Sequence, residues 1–66
     1  MISDTMENRS AILRALIRKK GEFVSGTSLS EAVGVSRVSV KNHVDQFLRE
    51  GYEIEAVRNR GYRLLR

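Results

Sequence analysis

Ala32-Val33-Gly34-Val35-Ser36-Arg37-Val38-Ser39-Val40 joins two helical patterns through a single glycine. Gly34 can take the left-handed conformation that ends a helix, and Ser36 offers a hydroxyl oxygen to the free amides that open another. Upstream, Ser25 is a candidate N-cap for a helix carrying Leu29, Ala32 and Val33. Downstream, Val40, Val44, Phe47 and Leu48 keep the i, i+4, i+7, i+8 spacing of an apolar stripe until Gly51, which predicts a helix over Ser36–Glu50. Two helices joined only through Gly34-Val35 must cross at a sharp angle.

Working outward, Ile12, Leu13, Leu16 and Ile17 form the core stripe of a first helix from about Thr5 to Lys20, with Met6 extending it. Arg18, Lys19 and Lys20 complement the dipole at its end, and Gly21 can terminate it. Glu22-Phe23-Val24 is long enough only for a brief strand. Beyond Gly51 the period changes to 2, with Tyr52, Ile54 and Ala56 on one side and Glu53, Glu55 and Val57 on the other. Arg58-Asn59-Arg60-Gly61 supplies turn residues, and Tyr62-Arg63-Leu64 alternates again as a returning strand. Helix, short strand, helix, turn, helix and hairpin is the order of a winged helix-turn-helix. The expectation is an α+β fold: a three-helix bundle with a short strand and a C-terminal β-hairpin wing, forming a single domain over residues 1–66.

Composition narrows the function. A chain of 66 residues has room for one core and no deep, self-walled substrate pocket, which argues against an enzyme. With no Cys there is neither a disulfide framework nor a thiolate zinc site. Neither metal nor cofactor is expected. No apolar run approaches the roughly 20 residues of a membrane span, and Met1–Ser10 lacks the apolar core of a secretory signal, so a cytoplasmic location without a membrane partner is expected. The net charge of +4 is unevenly spread: residues 1–21 carry +3, 22–35 carry −2, 36–50 carry +1, 51–57 carry −2 and 58–66 carry +4. Basic excess in separate segments suits a polyanion that touches the protein in several places.

On the third helix, Val38, Ser39, Asn42, Asp45, Gln46 and Arg49 lie opposite the apolar stripe, with Arg37 and Lys41 near the leading end. A helix fits the major groove, and its first turns reach base edges most easily. Arg37 and Lys41 suit guanine acceptors or phosphates, Asn42 adenine, Ser39 several edges, and exposed Val38 a thymine methyl. The amides near Ser36 favour a phosphate. Mixed charge on a helix face is also what ordinary solvation produces. The hairpin adds weight, since its tip, Arg58-Asn59-Arg60, presents two guanidinium groups to a phosphate backbone or minor groove with no acid beside them in sequence. The expected partner is double-stranded DNA. Three other signals point elsewhere only weakly. His43 is a lone histidine on the border of the stripe, Ser25–Ser30 lacks the Lys and preceding glycines of a phosphate loop and reads as a capping turn in which Thr27 and Ser28 could touch a DNA phosphate, and Glu53 and Glu55 read as outward solubilising charges. The basic first helix needs its apolar face for the core, which disfavours a membrane role.

The ordered set Gly21-Glu22-Phe23-Val24-Ser25-Gly26, Leu29, Gly34-Val35-Ser36-Arg37, Val40-Lys41-Asn42-His43-Val44, Glu50-Gly51-Tyr52 and Gly61-Tyr62 resembles the N-terminal domain of the biotin operon repressors, the bifunctional biotin protein ligases. The resemblance runs from about Asn8 to Leu65. It implies operator binding and transcriptional repression, with the helix at Ser36-Arg37 as reader and the Arg58–Gly61 turn as wing. In that family ligation belongs to a following catalytic domain, whose biotin and nucleotide loop has no counterpart here, so this chain is expected to be either part of a longer ligase or a free-standing regulator. A homodimer on a palindromic operator is the partner arrangement such a small module needs. The rival reading is a winged helix serving as a protein-interaction or regulatory module of a larger ligase, for which exposed Val38 is the sequence hint. One departure is Ser28, where an acid would complete a capping box with Ser25, predicting a less firmly started second helix.

Overall fold

The computed structural model describes residues 4–65 and contains α1 (Asp4–Arg18), α2 (Gly26–Val33), α3 (Arg37–Arg49), β1 (Ile54–Val57) and β2 (Gly61–Leu64). Ser25 and Ser36 cap α2 and α3: each hydroxyl oxygen accepts from the amide three residues on, Ser28 at 2.9 Å and Ser39 at 3.1 Å. Ser28 thus closes the first cap without an acid, and its own hydroxyl accepts from that of Ser25 at 2.9 Å. The Ser30 hydroxyl donates to the Thr27 carbonyl at 2.9 Å. Gly34, at φ +83, ends α2, and its amide and that of Val35 both donate to the Ser30 carbonyl.

The two strands pair antiparallel, with Ile54 opposite Leu64, Glu55 opposite Arg63, Ala56 opposite Tyr62 and Val57 opposite Gly61. On the other edge of β2, Val24 and Tyr62 exchange two backbone hydrogen bonds of 2.8 Å each. The brief strand expected at Glu22–Val24 is therefore a one-residue bridge that fastens the α1–α2 connection to the hairpin. Gly61 makes this approach possible. It sits at φ +110, and a Cβ there would meet the Val24 carbonyl group and lie 2.6 Å from Ser25 Cα. The chain reversal is closed by the Arg60 amide donating to the Val57 carbonyl at 3.0 Å, with Asn59 at φ +71.

Ile12 and Leu16 of α1, Leu29 of α2, Val40, Val44 and Phe47 of α3, and Ile54 and Leu64 of the hairpin make one buried cluster. Every element contributes, so the bundle and hairpin share a core: the architecture is a winged helix-turn-helix. Four expectations need correction. Ile17 is 52% exposed, because α1 buries a narrower stripe around Ile12 and Leu16 and ends at Arg18. Leu48 is 43% exposed, and His43, 7% exposed, takes the buried edge of α3 instead. Tyr52 precedes β1 and lies outward, its ring meeting that of Phe47 edge-on at 5.3 Å, while Ala56 is exposed. Glu55 is not a free solubilising charge, because it pairs across the hairpin with Arg63. The side chain of Met6, expected to extend the α1 stripe, lies outside the described residues.

Candidate nucleic-acid interface

With Val40, Val44 and Phe47 turned inward, the roughly 100° advance per residue places Val38, Asn42 and Arg49 along the opposite crest of α3, with Arg37 and Lys41 on one flank. That flank faces the hairpin. Between them lies an open cleft of about 650 Å³. Arg37, Val38 and Lys41 line one wall, residues 56–62 the other, and Ser25, Gly26 and Thr27 the start of α2. Four cations, Arg37, Lys41, Arg58 and Arg60, line it together with Asn59, and no carboxylate does so among the described residues.

The cations differ in how they are held. Lys41 pairs with Asp45 one turn later at 3.2 Å, an exposed contact whose strength water and salt reduce. Arg37, Arg58 and Arg60 have no ion pair among the described residues. Arg60 leans back, its guanidinium carbon 5.6 Å from the centre of the Phe23 ring. Val38 is 68% exposed on the crest beside the cleft.

Of the nine candidate residues, the fold brings Arg37, Val38, Lys41, Arg58, Asn59 and Arg60 to one cleft. Asn42 is exposed on the crest, outside the lining. Ser36 and Ser39 serve the N-terminal cap of α3, and Ser39 is half-buried. The backbone amide of Ser39 is thereby committed to the cap rather than left for a phosphate. Sequence reasoning did not place Gly26 or Tyr62 here. The signal was available, because pairing Glu22–Val24 with the returning strand carries Ser25–Thr27 alongside Gly61–Tyr62.

Among the described residues, no three or more His, Cys, Asp or Glu side chains stand together as metal ligands. Nor is any helix there long and apolar enough to cross a membrane.

Residues 8–63 match the family described as HTH domain. Over 58 residues, or 88% of the chain, the sequence is 41% identical to the bifunctional ligase/repressor BirA of Bacillus subtilis and, equally, to that of Bacillus spizizenii. The chain spans 18% of the length of each of these relatives.

Proposed function

The chain belongs to the HTH domain family, and from that premise we propose that it binds duplex DNA in a sequence-dependent way and represses transcription, as the relatives' name implies for them. The observation that carries the reading is the cleft, where four cations from two elements converge without a carboxylate in the lining among the described residues. A phosphate strand running through it would be held from both sides, with the leading turns of α3 in the major groove and the hairpin on the flanking backbone. Arg37 suits a guanine edge or a phosphate at the groove's rim, Val38 a thymine methyl, and Asn42 an adenine edge. Arg58, Asn59 and Arg60 position the domain without reading bases.

One such module makes few contacts, so tight operator binding would use two copies across a palindrome. The similarity to repressors with a ligase function extends over 18% of their length, and the proposal is confined to the DNA-reading part of their name. A biotin-type operon in the cytoplasm is the setting that fits. Anisotropy titration against duplexes of varied sequence tests the assignment. Arg37→Ala and Asn42→Ala should narrow the gap between preferred and random duplexes, each acting at its own base position. A gap left intact by both changes would remove α3 as the reader.

A further inference from the structure

Phe23 has no place in the hydrophobic cluster, yet its half-buried ring carries two guanidinium groups of the hairpin. The Arg63 guanidinium carbon stands 4.6 Å from the ring centre and that of Arg60 5.6 Å. Both distances fall within the roughly 6 Å over which a cation is attracted to an aromatic face. The two arginines differ in what else they touch. Arg63 is tied to Glu55 across the hairpin, so its charge is already matched. Arg60 has no carboxylate partner among the described residues and lines the cleft. The ring is itself well located, since the adjoining Val24 is fastened to Tyr62 by the reciprocal 2.8 Å hydrogen bonds.

We propose that Phe23 is a positioning residue for the wing: its ring forms a shelf that holds the Arg60 guanidinium beside the hairpin tip before DNA arrives. A guanidinium lies against an aromatic ring through its flat face, whereas its N–H donors lie in its plane. Held face-on in that way, the guanidinium would keep its donating edge available to a phosphate. Holding Arg60 there in the free protein reduces the side-chain freedom lost on binding. The Glu55–Arg63 pair stabilises the neighbouring position on the same ring, so the α1–α2 connection, remote in sequence from the hairpin, sets the geometry of the wing cation.

This inference rests on the DNA-binding reading, and the test separates the two. In the free protein, the Arg60 side-chain protons should show upfield ring-current shifts that vanish in Phe23→Leu and persist in Phe23→Tyr. Absence of those shifts in the wild type overturns the shelf whatever DNA does. With a random duplex, Phe23→Leu should weaken binding about threefold, with the salt slope unchanged because no phosphate contact is deleted. Phe23→Tyr should retain wild-type affinity. Arg60→Ala should lower the slope by about 0.9, and adding Phe23→Leu to it should cost nothing further. Amide spectra of α3 unchanged between wild type and Phe23→Leu would set aside a folding defect. Equal affinity of Phe23→Leu and wild type, or an undiminished loss in the Arg60→Ala background, overturns the positioning role. A wild type without salt-dependent duplex binding overturns the proposed DNA function and the role of the shelf in it, leaving the shift to report on the shelf alone.

Discussion

Two ends of this molecule use arginine in opposite ways. Where α1 meets the end of α3, Arg9 lies over the Phe47 ring, 4.7 Å from its centre, and pairs with Glu50, while Tyr52 meets the same ring edge-on. Where α3 meets the hairpin, Arg37 and Arg58 face a cleft with no acid in its lining among the described residues. Formal charge along a sequence is therefore not an electrostatic footprint. Residues 1–21 have a formal charge of +3, yet Arg9 is matched by a residue 41 positions away. The terminal segment 58–66 is similarly reduced by the Glu55–Arg63 pair. What remains unmatched at the cleft is a better guide to the partner than the total.

The sharpest way to break the closed end is Phe47→Ala. Phe47 has no exposed surface and is the largest fully buried side chain among the described residues, so its truncation loses transfer free energy and leaves a cavity. The expected cost is about 3–5 kcal/mol, enough to unfold much of a domain this small at 25 °C. Urea denaturation followed by circular dichroism measures it. A loss below about 1 kcal/mol would mean that the arginine, the ring and Tyr52 do not hold this end together.

The two ends also differ in the space around a glycine at each. Gly61→Ala forces a Cβ into the Val24 carbonyl group and Ser25 Cα at a positive φ, where the nearest atoms are all backbone and no side chain can yield. Gly51 also has a positive φ, +104, but nothing lies within 4 Å of a Cβ built there. Gly51→Ala should therefore show only the conformational strain, about 1 kcal/mol, and Gly61→Ala appreciably more, with early loss of amide protection at Val24 and Tyr62. Equal destabilisation would show that the hairpin can move away from the α1–α2 connection without penalty.

How legible these features were in the sequence depends on whether their causes are local. Ser25, Ser36, Gly34 and Gly51 punctuated the helices correctly because caps and left-handed turns are decided within a few residues. The choice between His43 and Leu48 was not local. Both flank the Val40–Val44–Phe47 stripe, one on each side, roughly 60° and 80° from Val40. Which edge is covered is set by where the other helices pack, and periodicity within α3 carries no record of that. Ile17 failed for a related reason, since it lies roughly 140° around α1 from Ile12 at the helix end, beyond the reach of the core. The cations of the cleft were legible as residue types, because Arg and Lys at a helix start and at a turn stand out. Their convergence required Val24 to pair with Tyr62, a contact 38 residues apart in sequence and the reason the cleft has a third side.

The smallest predicted effect probes the contrast between the two ends most directly. Arg9→Met keeps an unbranched apolar stem against Phe47 and removes the charge that Glu50 answers. Its side chain is 28% exposed and that of Glu50 48%, so water screens the pair and the stability cost should be about 0.5–1 kcal/mol. Because that charge is matched within the protein, the salt dependence of duplex binding should be unaltered. Arg58→Ala removes one unmatched cation from the cleft, and should weaken binding to every duplex alike and reduce the magnitude of the salt slope by about 0.9. Anisotropy titrations over a series of salt concentrations read both variants on one scale. If Arg9→Met lowered the slope as much as Arg58→Ala, the closed end would be a phosphate contact too, and the division between matched and unmatched arginines would fail.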